Sequence, residues 1–161
     1  MKNILITGAN SFVGTSVEAW LLRNKNEYKV DTVDTMNDAW KEADFSKYDA
    51  VFHVAGIAHV DPKPEMAPLY YKVNRDLTVE IAKHAKASGV KQFVSMSSQI
   101  VYHASKSLEG TVISKNTKPN PNDFYGDSKL QAEKGLNELA SDDFKVVNLR
   151  PCMIYLSLIH I

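Results

Sequence analysis

The chain has 161 residues, a length that fits one domain with a substantial core. Hydrophobic residues at 44% and charged residues at 24% exclude a disordered chain. Nineteen basic residues balance nineteen acidic ones, so the net charge is zero and the basic footprint of a nucleic-acid or membrane-surface binder is missing.

No apolar run reaches the roughly 18 residues of a membrane-spanning helix. The opening MKNILITGAN enters a strand-like run without the apolar stretch and cleavage site of a signal peptide. One cysteine, Cys152, forms no internal disulfide, and a cytoplasmic protein is expected.

Apolar runs alternate with amphipathic stretches. Residues 4–7 read as a buried strand stopped by a glycine. Residues 12–23 read as a helix, with Phe12, Val13, Val17, Trp20 and Leu21 at helical spacing and Trp20 expected in the core. Strands follow at Tyr28–Val33 and 50–54. Residues 66–88 form one long helical pattern in which Leu69, Val73, Leu77 and Ile81 lie four apart, and Gly89 supplies the stop. A fourth strand at Gln92–Met96 leads into a polar stretch, 103–123, that lacks periodicity. A helix at 123–141 and a strand at Lys145–Leu149 complete the pattern. Strands that are almost continuously apolar and alternate with helices predict an α/β fold: a Rossmann-type, doubly wound parallel sheet covered on both faces, three layers deep.

The last six residues, LSLIHI, match the translation of a sequencing-library adapter. Residues 156–161 are therefore expected to be a non-native tail, with 1–155 the N-terminal part of a longer protein. A genuine sixth strand is the other reading of this segment.

The first strand runs into Thr7-Gly8-Ala9-Asn10-Ser11-Phe12-Val13-Gly14. A tight turn that opens a helix aims backbone N–H groups and the positive end of the helix dipole at one point, which suits a pyrophosphate. Gly8 permits the turn and Gly14 permits close helix–strand packing, while Ser11 stands where a middle glycine is usual. Asp34 ends the second strand 20 residues after Gly14, the place for a carboxylate that binds the adenosine ribose. A carboxylate repels a 2′-phosphate, and residues 8–14 hold no Arg or Lys to attract one, so NAD is expected rather than NADP.

Tyr125 and Lys129 lie four apart on a predicted helix and so share a face. A phenol with pKa about 10 is a poor base at neutral pH, and a nearby ammonium would stabilise its phenolate. Ser97 and Ser98 lie beyond the carboxyl end of the fourth strand. In doubly wound sheets ligands bind beyond those ends, at the reversal expected here between strands one and four. The Gly8 turn, Asp34, Ala55-Gly56 and Ser98 all fall on that edge.

At these residues the chain resembles the extended short-chain dehydrogenase/reductases, specifically the NAD-dependent epimerase/dehydratase family of nucleotide-sugar enzymes. TGANSFVG follows the family's turn except at Ser11. Phe52-His53-Val54-Ala55-Gly56 is similar to the family's strand beside the pyrophosphate and nicotinamide, and Asp44-Phe45 to the pair that contacts adenine. Asn74 matches a helix asparagine that supports the active site. Met96-Ser97-Ser98-Gln99-Ile100-Val101-Tyr102 assigns the catalytic hydroxyl to Ser98, Tyr125 and Lys129 match Y-x-x-x-K, and Leu149-Arg150-Pro151 matches L-R-P.

The resemblance implies that the cofactor is held by Gly8, Asn10, Ser11, Phe12, Val13, Gly14, Asp34, Asp44, Phe45, Ala55, Gly56, Asn74 and Lys129. It implies catalysis by Ser98, Tyr125 and Lys129 on a nucleotide-sugar, with pairing of two copies through the long helix. The expected reaction is 4-epimerisation of a UDP-sugar, of the UDP-glucose 4-epimerase kind. Family dehydratases often carry an Asp-Glu pair where Gln99 and Ile100 stand, which argues against dehydration. A 4-keto-sugar reductase, dehydrogenase or dehydratase, and a non-catalytic NAD-binding protein, remain alternatives.

His53 reads as structural, and His59, His84, His103 and Cys152 lack metal-ligand spacing. Cys152 reads as an inert buried thiol. Lys106, Lys115 and Lys118 read as a solvated loop.

Overall fold

The structure is a computed structural model and describes residues 1–58, 63–102, 112–152 and 154. His59, His103, Lys106 and the tail 156–161 lie outside the described residues. Five strands form where the apolar runs place them: β1 (Lys2–Thr7), β2 (Tyr28–Val33), β3 (Ala50–His53), β4 (Gln92–Met96) and β5 (Lys145–Leu149). All neighbours pair in parallel, in the order β2-β1-β3-β4-β5.

The reversal of strand order therefore lies between β1 and β3, not between strands one and four. Only β2 lies beyond β1. The residues after it form a short 3-10 turn, Asp38–Glu42, and the return to β3 buries Trp40 and Phe45 instead of adding a strand.

Right-handed crossovers in opposite directions from β1 send the helices to opposite faces. Helix α1 (Phe12–Leu21) lies on one face. The other carries α2 (Ala67–Tyr70), a π-helical turn (Tyr71–Leu77), α3 (Thr78–Ala87) and α4 (Phe124–Leu139). Sheet register explains the core. Leu5, Val51, Phe93 and Val146 stand side by side on four strands and face α3 and α4. On the opposite face the matching row is Ile6, Phe52, Val94 and Val147. Exposure along it climbs from 0% at Ile6 to 38% at Val147, because α1 covers only the β1–β2 side. Coverage of the second face is thus partial among the described residues. Trp20, expected in the core, is 58% exposed on the flank of α1, and Cys152 is exposed just past β5.

The long helix also differs from its pattern. Ile81 is in the core and Leu77 packs against it as the pattern has it, but over the first turns the buried residues are Tyr70, Asn74 and Thr78, one position past Leu69 and Val73. The π turn widens the helix, so residues four apart stay in line and a buried asparagine faces the sheet edge.

Gly8 has φ +103°, and a Cβ there would come within 2.8 Å of the Ala55 nitrogen. Gly8→Ala combines left-handed strain with a backbone clash, and about 2–3 kcal/mol of stability should be lost in urea unfolding. Loss below about 0.5 kcal/mol would show that the turn does not hold β1 against β3 in this way.

Candidate active site

At the β1–α1 turn the departure from glycine at position 11 has a local purpose. Ser11 is the N-cap of α1, and its Oγ accepts the Gly14 amide at 3.1 Å. A Cβ on Gly14 would meet that Oγ at 2.6 Å, so the serine and the glycine are matched. Asn10 takes φ +62°, a left-handed value that asparagine tolerates. The amides of Phe12 and Val13 open the helix and have no acceptor within it. A turn of amides at a helix N-terminus fits the pyrophosphate of a dinucleotide.

Asp34 is exposed just after β2, where its Oδ1 accepts the Met36 amide at 2.9 Å. Asp44 is exposed too. Hydrogen bonds from the Ser46 hydroxyl and amide hold its carboxyl below the usual range. The Phe45 side chain is fully buried in the core against the rings of His84 and Tyr48, so within the pair expected at adenine Asp44 offers its side chain and Phe45 its backbone.

The end of β3 brings three groups together. The Thr7 carbonyl accepts the Val54 and Ala55 amides at 3.0 and 3.1 Å, which locks the β3 exit to the Gly8 turn. A Cβ on Gly56 would lie 3.0 Å from the Lys129 Nζ and 3.1 Å from the Asn74 Oδ1. Asn74 accepts the Ile57 amide at 2.9 Å and donates to the Ile57 carbonyl at 3.0 Å, a two-point grip on the loop. Lys129 donates to the Met96 carbonyl at 3.0 Å. Burial pushes its pKa down to about 8, opposed by the charge of Glu133.

Asp123 caps α4 by accepting the Gly126 amide at 2.6 Å. Gly126 lets the helix start close to the β4 exit, since a Cβ there would stand 2.8 Å from the Ile100 carbonyl. Tyr125 is thereby brought to the Ser98 side of the edge, where the Ser98 hydroxyl favours the phenolate. Burial is the stronger effect and raises the Tyr125 pKa overall. This differs from the expected lowering by an ammonium. The Lys129 Nζ is directed at the Met96 carbonyl.

Ser97 points the other way. Its hydroxyl donates to Glu133 Oε1 at 2.5 Å, and Arg150 donates to both oxygens of that carboxylate and to the Tyr102 hydroxyl. Glu133 ties β4, β5 and α4 together beneath the site. The sequence reading did not single it out, although its position four residues after Lys129 places it on the same helix face. The Met96 carbonyl has no sequence signal at all.

With this geometry in place, comparison with known proteins is decisive. Residues 4–158 match the model of the NAD dependent epimerase/dehydratase family. The chain belongs to that family. It is 35% identical over 174 residues to the UDP-glucose 4-epimerase of Vibrio cholerae, covering 96% of this chain and 52% of the relative. The solved structure of MoeE5 in complex with UDP-glucose and NAD matches at TM-score 0.75 and 25% identity, over 92% of this chain and 53% of that one. RMD from Pseudomonas aeruginosa, complexed with NADPH, matches at TM-score 0.77 and 25% identity, over 94% and 53%. The chain thus spans about half the length of the relatives it matches. Among the described residues of this family member, no helix is long and apolar enough to cross a membrane.

The buried Lys129 has a thermodynamic signature. It loses its proton at about 8 when folded and near 10.5 when unfolded, so the unfolded chain binds the extra proton between these values. Stability then rises with pH across that window. Relative to Lys129→Met, the wild-type chain should gain about 3 kcal/mol between pH 8 and 10.5 in urea unfolding. A difference independent of pH would show that the ammonium is not desolvated.

Proposed function

We propose that this chain carries the dinucleotide site and the proton-transfer group of a nucleotide-sugar epimerase acting at C4 of UDP-sugars. The observation that carries the reading is the convergence of Ser98 and Tyr125 on the sheet edge that also holds the Gly8 turn, Gly56 and Lys129. The family is NAD-dependent. Phe12 and Val13 amides would hold the pyrophosphate, Asp34 the adenosine ribose, and Lys129 beneath Gly56 the nicotinamide ribose. When bound, NAD supplies a hydride acceptor and donor.

Tyr125 takes the proton from the sugar 4-hydroxyl and later returns it. Ser98 hydrogen-bonds the same oxygen and holds it against the phenol. A phenol raised by burial is well suited to returning the proton, and the Ser98 hydrogen bond offsets part of that rise when the phenol must act as base. Gln99 and Ile100 supply no acid–base pair beside Ser98, which favours epimerisation over elimination. The exposed Asp34 supports NAD over NADP, since its charge opposes a 2′-phosphate.

Two measurements test this reading. In a polypeptide of the relatives' full length, Tyr125→Phe should lower kcat for interconversion of UDP-galactose and UDP-glucose by about 10²–10⁴-fold and leave NAD affinity unchanged. Activity within a few-fold of wild type would remove Tyr125 as the proton-transfer group. Asp34→Ala should shift the NAD-to-NADP affinity ratio toward NADP by about tenfold in a fluorescence titration. An unchanged ratio would place the ribose elsewhere.

A further inference from the structure

Toward its carboxyl end the buried face of the sheet turns from apolar to polar. One register step beyond Val51 and Phe93 the row reads Thr7, His53, Ser95 and Asn148. Thr7, His53 and Ser95 in it are buried. The imidazole of His53 has a partner on each side: Nδ1 lies 2.7 Å from the Thr7 Oγ1, and Nε2 lies 2.9 Å from the Thr78 Oγ1. Thr78 closes the π turn. Its amide donates to the Arg75 carbonyl, and its hydroxyl donates to the Asn74 carbonyl at 2.9 Å.

A hydroxyl has one proton. Thr78 uses it on a carbonyl, so its oxygen must accept from His53 Nε2–H. Nδ1 is then the bare nitrogen and accepts from Thr7. The direction of every bond follows: Thr7 Oγ1–H to Nδ1, Nε2–H to Thr78, Thr78 Oγ1–H to the Asn74 carbonyl.

We propose that His53 is a positioning residue, a neutral single-tautomer strut that ties the β1–β3 edge to the π turn and so fixes Asn74 against the Gly56–Ile57 loop. The ring is fitted to stay neutral. Burial, with the charge of Lys129 acting in the same sense, takes its pKa down to about 3. A charged His53 would also carry a proton on Nδ1, where the Thr7 hydroxyl now donates and would have to turn its proton away to accept. The link from strut to cofactor rests on the reading of this edge as the dinucleotide site; the strut itself does not.

The test uses Thr78→Val and Thr78→Ser, which differ in whether the hydroxyl is kept. In ¹⁵N spectra of the wild-type chain, His53 should show the neutral Nε2–H form, unchanged between about pH 5 and 8. Thr78→Val should mix the two tautomers, speed exchange of the Asn74 side-chain amide by about tenfold and weaken NAD binding by a similar factor. Thr78→Ser should behave as wild type in all three. An Nδ1–H tautomer, titration of His53 in that range, or Asn74 exchange unmoved by Thr78→Val would overturn the proposal. The tautomer and exchange rates are read without dinucleotide. A chain that shows both as expected but binds no NAD would support the strut and contradict the functional reading.

Discussion

The site depends on one desolvated ammonium. Lys129 is held under the Gly56 loop with its proton donated to the Met96 carbonyl, and the Glu133 carboxylate, which acts on its charge, is engaged elsewhere. Burying a charge costs several kcal/mol unless partners make up the loss, and a backbone carbonyl makes up only part of it. A direct ion pair with Glu133 would have held the lysine fully charged well into the alkaline range. Instead Arg150 and Ser97 occupy that carboxylate, and Lys129 is left with a pKa near 8. The result is a cation poised close to neutrality and confined to one position, where it faces the loop expected to receive the ribose of a dinucleotide.

Three close approaches put the remaining groups around it. Gly8 brings the first turn onto the β3 exit, Gly56 admits the lysine and Asn74, and Gly126 lets α4 start against the β4 exit. Gly8 and Gly126 meet backbone at the β3 and β4 exits, while Gly56 makes room for the Lys129 and Asn74 side chains. The reversal between β1 and β3 is the point where the loops diverge, and diverging loops leave a crevice. The buried Glu133 carboxylate, paired with the more exposed Arg150, holds the floor of that crevice and clamps the ends of β4 and β5 to one helix.

Much of this was legible in the sequence, for identifiable reasons. The strands are apolar runs bounded by glycines or polar turns, so their places follow from composition. Tyr125 and Lys129 share a helix face through simple spacing, and Ser98 follows from its position just past a strand. Other features were not legible. A π turn leaves no mark in a four-residue repeat, so the stripe was read as Leu69-Val73 when the buried residues are Tyr70-Asn74. The reversal point depends on whether the stretch after Asp34 adds a strand, and only packing of Trp40 and Phe45 decides that. Phe45 shows what a motif leaves unsaid: its side chain belongs to the core, so any part in a ligand site falls to its backbone. Residue type places Trp20 and Cys152 inside, yet among the described residues both are exposed.

The most direct test of the central claim is an NMR titration of the chain with NAD, following backbone amides and the Tyr125 ring together. The account expects Phe12, Val13, Ala55 and Gly56 to shift along one saturating curve, with the Tyr125 ring moving on the same curve. Shifts that saturate at the turn while Tyr125 stays still, or that cluster on the outer flank of α3 and α4, would contradict it.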